Sequence, residues 1–94
     1  MPGLKVNRKD AEMPLTMEEF ITDTIIIAKV KNGGNHHRMS EAIKTKLDEH
    51  FGGGWTVLVI KKNMYDGFAI NFHHQAGTFI EVHHGAHAYV IFKN

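Results

Sequence analysis

The 94-residue sequence predicts an α+β domain in which two helices pack on an antiparallel β-sheet. Three features carry this expectation. Two stretches with apolar residues at three- and four-residue spacing, ending at Asn32-Gly33-Gly34 and Gly52-Gly53-Gly54, read as helices. The run from Trp55 to Lys93 reads as strands separated by turn residues, closing in a tight hairpin. The helical stretches precede most of the strands instead of alternating with them, which places them together on a sheet and disfavours a wound parallel one.

Taken in order, Lys5 to Lys9 is a brief edge strand, and Pro14 stops the segment that follows it. Thr16 with Glu19 three residues later forms a capping box that predicts a helix start. Met17, Phe20, Ile21, Thr24, Ile25 and Ala28 then line one helical face. β-Branched residues crowd Thr22 to Val30 as they would in a strand, but the cap, the period and the glycine stop favour helix. Asn35 caps a second helix running to about His50, with Met39, Ala42, Ile43 and Leu47 as its apolar stripe. Three glycines follow without a Gly-Lys-Ser/Thr sequence, so they read as a connection and not a phosphate loop.

Trp55 to Ile60 is a nearly unbroken apolar run, the pattern of a central strand buried on both sides. Lys61 to Gly67 is a polar connection, and Ala69 to His74 is a mixed strand of edge character. Gln75-Ala76-Gly77 turns the chain into the last hairpin, Thr78 to His83 and Ala86 to Phe92, joined by His84-Gly85. That loop sets a register in which His83 faces Ala86, Val82 faces His87, Glu81 faces Ala88 and Ile80 faces Tyr89. One face then carries Ile80, Val82, His87, Tyr89 and Ile91. The other carries Phe79, Glu81, His83, Ala88, Val90 and Phe92, partly apolar, and is expected to be covered by something outside the hairpin.

Composition bounds the function. One domain, residues 1–94, with 43% hydrophobic and 22% charged residues is globular. It is small enough that a partner subunit would add useful burial. No run is long enough to span a bilayer and the N-terminus lacks the order of a signal peptide, so a soluble, intracellular protein is expected, with no membrane insertion. The absence of cysteine removes disulfides and thiolate chemistry. Eleven basic residues against ten acidic ones argue against nucleic acid as a partner. Histidine is the outlier: of eight, five lie between His73 and His87, and protonating all eight would add eight charges to a formal +1.

The histidines suggest metal binding only weakly, because neighbours such as His73-His74 point to opposite strand faces and the register separates His83 from His87. No cofactor is expected. A single serine, Ser40, on a helix surface offers no activated nucleophile, and Glu81 beside His83 reads as a structural or ligand-reading pair before a catalytic one. The chain is therefore expected not to be an enzyme. Phe68, Phe72 and Phe79 lack the surrounding basic stripe that base stacking requires.

Several stretches together resemble the smallest class of dynein light chain. Lys9-Asp10-Ala11-Glu12-Met13 resembles the segment leading into that family's first helix. Ile43-Lys44, Leu47-Asp48 and Phe51 resemble the end of its second helix, followed by the hallmark tryptophan, Trp55. Phe79-Ile80, Gly85, Ala88 and Ile91-Phe92-Lys93 fit its final hairpin. The resemblance implies a strand-swapped homodimer in which Phe68 to His74 crosses to the partner's sheet, with Trp55, Thr56, Phe68, Ile70 and Phe72 at the dimer interface. It also implies that an extended peptide adds to the crossed strand at Phe68, Asn71, Phe72, His73 and His74, while Glu81, His83, Ala88 and His37 line the groove that selects its side chains. The implied function is that of a non-catalytic, cytoplasmic, cytoskeleton-associated hub that binds the dynein intermediate chain or other extended segments. The sequence departs from the family where two tyrosines become Glu81 and His83, where a lysine becomes His37, where the histidine after the tryptophan becomes Thr56, and in a connection from Ile60 to Phe68 about five residues longer than usual. Those departures define an alternative, a divergent scaffold without motor attachment that responds to pH or metal through its histidines.

Overall fold

The computed structural model describes residues 4–61 and 73–94. Along the chain these form β1 (Leu4–Lys9), α1 (Leu15–Asn32), α2 (His36–Phe51), β2 (Trp55–Lys61), β3 (Ile80–His84) and β4 (His87–Lys93). The strands make one antiparallel sheet in the order β1-β3-β4-β2. The fold class read from the sequence is the one observed.

Both helices form where the period placed them, but the first starts differently. Pro14, with φ −61°, takes the cap position with no side-chain hydrogen bond, and the Glu18 amide donates to its carbonyl at 3.1 Å. Thr16 lies inside the helix, so the capping box is not formed. A proline already sits near helical φ and has no amide to satisfy, so it opens a helix without a side-chain acceptor. Helix, not strand, prevails over Thr22 to Val30, and Gly33 ends it in the left-handed conformation with its amide on the Lys29 carbonyl. Asn35 caps α2 as expected, its side-chain oxygen accepting from the Arg38 amide at 3.0 Å.

The core lies between the helices and one face of the sheet. Ile21, Ile25 and Ala28 of α1 and Met39, Ile43 and Leu47 of α2 close on Trp55, Ile80, Val82, Tyr89 and Ile91. The last four of these are residues the hairpin reading assigned to a single face. The register itself is different. Gly85 and Ala86 make the loop, His84 pairs with His87, Glu81 with Val90 and Ile80 with Ile91. Gly85 supplies the positive φ, 60°, at the first loop position, where the sequence reading had put it second. Moving a two-residue loop by one residue shifts every pair by two, and because side chains alternate with period two, each residue keeps its face.

The face carrying Glu81 is covered, in keeping with its partly apolar pattern: Glu81, Ala88, Val90 and Phe92 are at most 4% exposed. One further expectation is corrected. β2, read as a central strand, has only β4 beside it among the described residues, and Val57 to Ile60 are half-buried. The mixed strand predicted for Ala69 to His74 lies mostly outside the described residues; within them His73 and His74 belong to no strand.

Ile43 has no exposed surface, whereas Ile27 on the outer face of α1 is 52% exposed. Ile43→Ala is expected to lower the urea-measured unfolding free energy by about 2–5 kcal/mol, and Ile27→Ala by less than about 0.5 kcal/mol.

Candidate functional site

The most concentrated polar chemistry lies where β1 meets β3. Glu81 is the one charged residue among the fully buried side chains of the described residues, and a carboxylate withdrawn from water must be met by donors. Asn7 supplies one, its side-chain amide donating to Oε2 at 2.6 Å. Arg8 supplies two, Nε and an Nη donating to Oε1 at 3.1 and 2.9 Å. His83 Nε2 stands 3.1 Å from Oε2. Asn7 and Arg8 are sequence neighbours, which on a regular strand point to opposite faces. Here the β1–β3 pairing slips between Val6 and Arg8, a β-bulge that brings both side chains to one carboxylate. The Arg8 side chain is 65% exposed and its guanidinium lies 5.6 Å from the Phe79 ring centroid, so Glu81 anchors a cation at the surface.

A second carboxylate holds the approach to β3. Asp10 Oδ2 accepts from the Gly77 and Phe79 amides at 3.0 and 3.2 Å and lies 2.9 Å from His74 Nε2. Burial alone would push the Asp10 pKa up. The Phe79 amide, the His74 ring and the Gly77 amide together outweigh that and hold it below the ordinary 3.8.

The predicted site residues divide between these groups and the rest of the molecule. Glu81 and His83 are together, joined by Arg8 and Asn7, which sequence reading passed over. The available signal was Glu81 itself, since an acid in an apolar strand demands partners and β1 carries the nearest ones. Ala88 pairs with His83 and is buried, while His37 stands on the exposed first turn of α2, its side chain 85% exposed and 3.9 Å from Glu41. His73 is exposed and His74 is tied to Asp10. Trp55 is only 2% exposed, packed near Phe51 in the core, and Thr56 is half-buried. Phe68, Ile70, Asn71 and Phe72 lie outside the described residues. Among the described residues no three of the histidines and acids come together as metal ligands, and no helix is long and apolar enough to cross a membrane.

The other open feature is the outer edge of β2. Seven residues, Trp55-Thr-Val-Leu-Val-Ile-Lys61, pair on one side with β4 through a complete register and have no strand on the other side among the described residues. Val57 and Val59 face the helical layer, and Leu58 and Ile60, opposite Val90 and Ala88, face away from it.

The model of the family described as dynein light chain type 1 matches residues 5–94. No curated protein matches significantly. Among solved structures, the dynein light chain-like domain of the Fasciola hepatica calcium binding protein FhCaBP2 superposes with a TM-score of 0.80 at 13% identity, covering 100% of this chain and 94% of that one. A second structure of that domain gives 0.79 at 14% identity, over 97% and 90% of the two chains. The dynein light chain-like domain of CsTAL3 gives 0.76 at 20% identity, over 100% and 95%.

Because Asp10 has its pKa lowered by folding, its contribution to stability is present above the unfolded value and is lost as pH falls through the lower folded value. Asp10→Asn is expected to be less stable at neutral pH and to lose less stability between neutral pH and pH values below about 4. Urea unfolding of both proteins at the two pH values measures this, and an unchanged acid dependence would remove Asp10 from the account.

Proposed function

The chain belongs to the dynein light chain family, matched over residues 5–94, and on that premise we propose that it acts as a homodimeric hub that captures extended partner segments by strand addition. The observation that supports this most directly is β2. Val57 to Ile60 are only half-buried, on a strand whose outer backbone has no neighbour among the described residues. An apolar sheet edge of this kind invites pairing with another chain and is a liability unless it is covered. A strand from a second copy, residues 68–74 by the family resemblance, would cover it and in turn present its own free edge to a guest.

In this reading Phe68, Asn71, Phe72, His73 and His74 belong to the guest-facing strand, and His83, Ala88 and the partner's view of His37 contribute to selection. Glu81 acts from beneath. It is buried and bound, so it holds Arg8 and His83 in place and leaves the surface contact to them. About six added backbone hydrogen bonds at roughly 0.5–1.5 kcal/mol each, with one or two filled pockets, correspond to roughly micromolar affinity per guest strand. Two sites per dimer let a bivalent partner bind more tightly without new contacts. The proposed partners are the dynein intermediate chain or other extended segments. The protein would act in the cytoplasm, in association with the cytoskeleton and without catalysis.

Sedimentation velocity at micromolar concentration is expected to show a dimer, and Leu58→Lys, which places a charge on the outer strand away from the helices, is expected to give a folded monomer by circular dichroism. Titration of a threonine-glutamine-threonine peptide is expected to saturate in the roughly micromolar range for the dimer and to fail for the monomeric variant. A wild-type protein that stays monomeric at all concentrations overturns the proposal.

A further inference from the structure

At the end of the molecule where β3 turns into β4, basic side chains arrive from five elements. His84 and His87 close the hairpin as a cross-strand pair, and Lys61 of β2 is the other register partner of His87. From the helical layer, His36 in the first turn of α2 sets its ring edge-on to His87, with centroids 4.8 Å apart and planes at 83°. Lys29, near the end of α1, donates to the His84 carbonyl at 3.4 Å. It stands so close over the loop that a Cβ on Gly85 would come 2.5 Å from its Nζ.

Two observations mark this cluster as unfinished. Among the described residues, none of the ion pairs involves any of its five bases. The Nδ1 atoms of His84 and His87 are both buried with no hydrogen-bond partner. Buried polar nitrogens are normally paired, and a concentration of like charge is normally relieved by counter-charge. The first turn of α2 also holds no acidic residue that could supply it.

We infer that Lys29, His36, Lys61, His84 and His87 form a binding site for a tetrahedral, doubly charged oxyanion of the phosphate type. A carboxylate brings one charge and two oxygens. A phosphate-type group brings nearly two charges and three or four acceptor oxygens, which suits donors converging from several elements. The site lies on the helical side of the sheet, on the face opposite Glu81 and His83, so it is separate from the peptide groove proposed above.

The protonation of the cluster gives the site a pH dependence of known sign. Burial, and then Lys29, lower the pKa of His84. Burial, and then His36, Lys29, His84 and Lys61, lower that of His87. Both groups therefore bind fewer protons in the folded chain than in the unfolded one. Stability from this source is full above the ordinary histidine value of 6.5 and is lost as pH falls below it. An oxyanion favours the protonated rings, so its binding takes up protons and tightens as pH falls.

Sulfate is the appropriate probe, because its charge is constant over this range and any pH dependence belongs to the protein. Titration of the full-length chain with potassium sulfate, against potassium chloride at equal ionic strength, is followed by melting temperature and by histidine ring resonances. Sulfate is expected to raise the melting temperature more at about pH 6 than at about pH 7.5, with affinity rising up to about tenfold per pH unit for each proton taken up. The resonances of His36, His84 and His87 should move while those of His50 and His73 stay. His87→Gln and the exposed Lys61→Gln are each expected to weaken binding at least about threefold, and Lys46→Gln, elsewhere on α2, to leave it unchanged. Inorganic phosphate and a phosphoserine peptide then separate the sources: equal affinities assign a free anion, and tighter peptide binding assigns a modified protein side chain. Equal effects of sulfate and chloride, or wild-type affinity in both the His87→Gln and Lys61→Gln variants, would overturn the site.

Discussion

A carboxylate sealed inside a β-sheet is the constraint to which the rest of this fold is fitted. Glu81 has no exposed surface, and an ionised group in that position costs several kcal/mol unless its oxygens are fully engaged. Both are engaged here, by the Asn7 and Arg8 side chains and beside His83. Since two of the three partners come from β1, the carboxylate ties a strand with little apolar area of its own to the centre of the sheet. Leu4 and Val6 pack against the core, but Lys5, Asn7, Arg8 and Lys9 are exposed and add little burial. The electrostatic tie thus determines which strand lies beside β3, while hydrophobic burial determines only that the sheet has a helical side.

The bulge in β1 follows from the same demand. A regular strand would give Glu81 either Asn7 or Arg8, not both, and would leave lone pairs of a buried carboxylate unused. One extra residue between Val6 and Arg8 solves this at the cost of a local break in the ladder, which an edge strand bears more easily than a central one. An acid among apolar strand residues implies partners, but a bulge leaves no trace in a period-two pattern, so the pattern alone does not pick out Asn7 and Arg8 together. The carboxylate of Asp10 is illegible for a different reason: two of its three partners are backbone amides, at Gly77 and Phe79, which every sequence possesses.

What was legible follows from period, and what was not follows from neighbours. The face assignments of the hairpin survived a register error of two residues, because the error was even and burial depends only on parity. The first helix survived a contrary β-branched signal and an unformed capping box, because its apolar stripe had a core to bury into. β2 was misplaced within the sheet because Trp55 to Ile60 is apolar on both faces. That pattern states that both faces want cover and does not state who provides it. Within the described residues the chain covers this strand only by half, so the same six residues that read as interior in the sequence lie at the sheet's margin in the structure.

The adjacent residues His83 and His84 show how a strand sorts like side chains into unlike environments. Alternation sends His83 to the face where Glu81 waits 3.1 Å away, and His84 to the face where Lys29, His36 and Lys61 surround its cross-strand neighbour His87. The first ring sits within hydrogen-bond distance of a buried carboxylate. The second belongs to a set in which each added proton raises the cost of the next. A one-residue slip of β3 would exchange them, setting Glu81 among the apolar helix contacts and His83 among the bases. The buried carboxylate therefore specifies register as well as neighbour. By fixing which imidazole faces which way, it keeps the concentration of positive charge at the hairpin tip on the opposite side of the sheet from the polar network at β1.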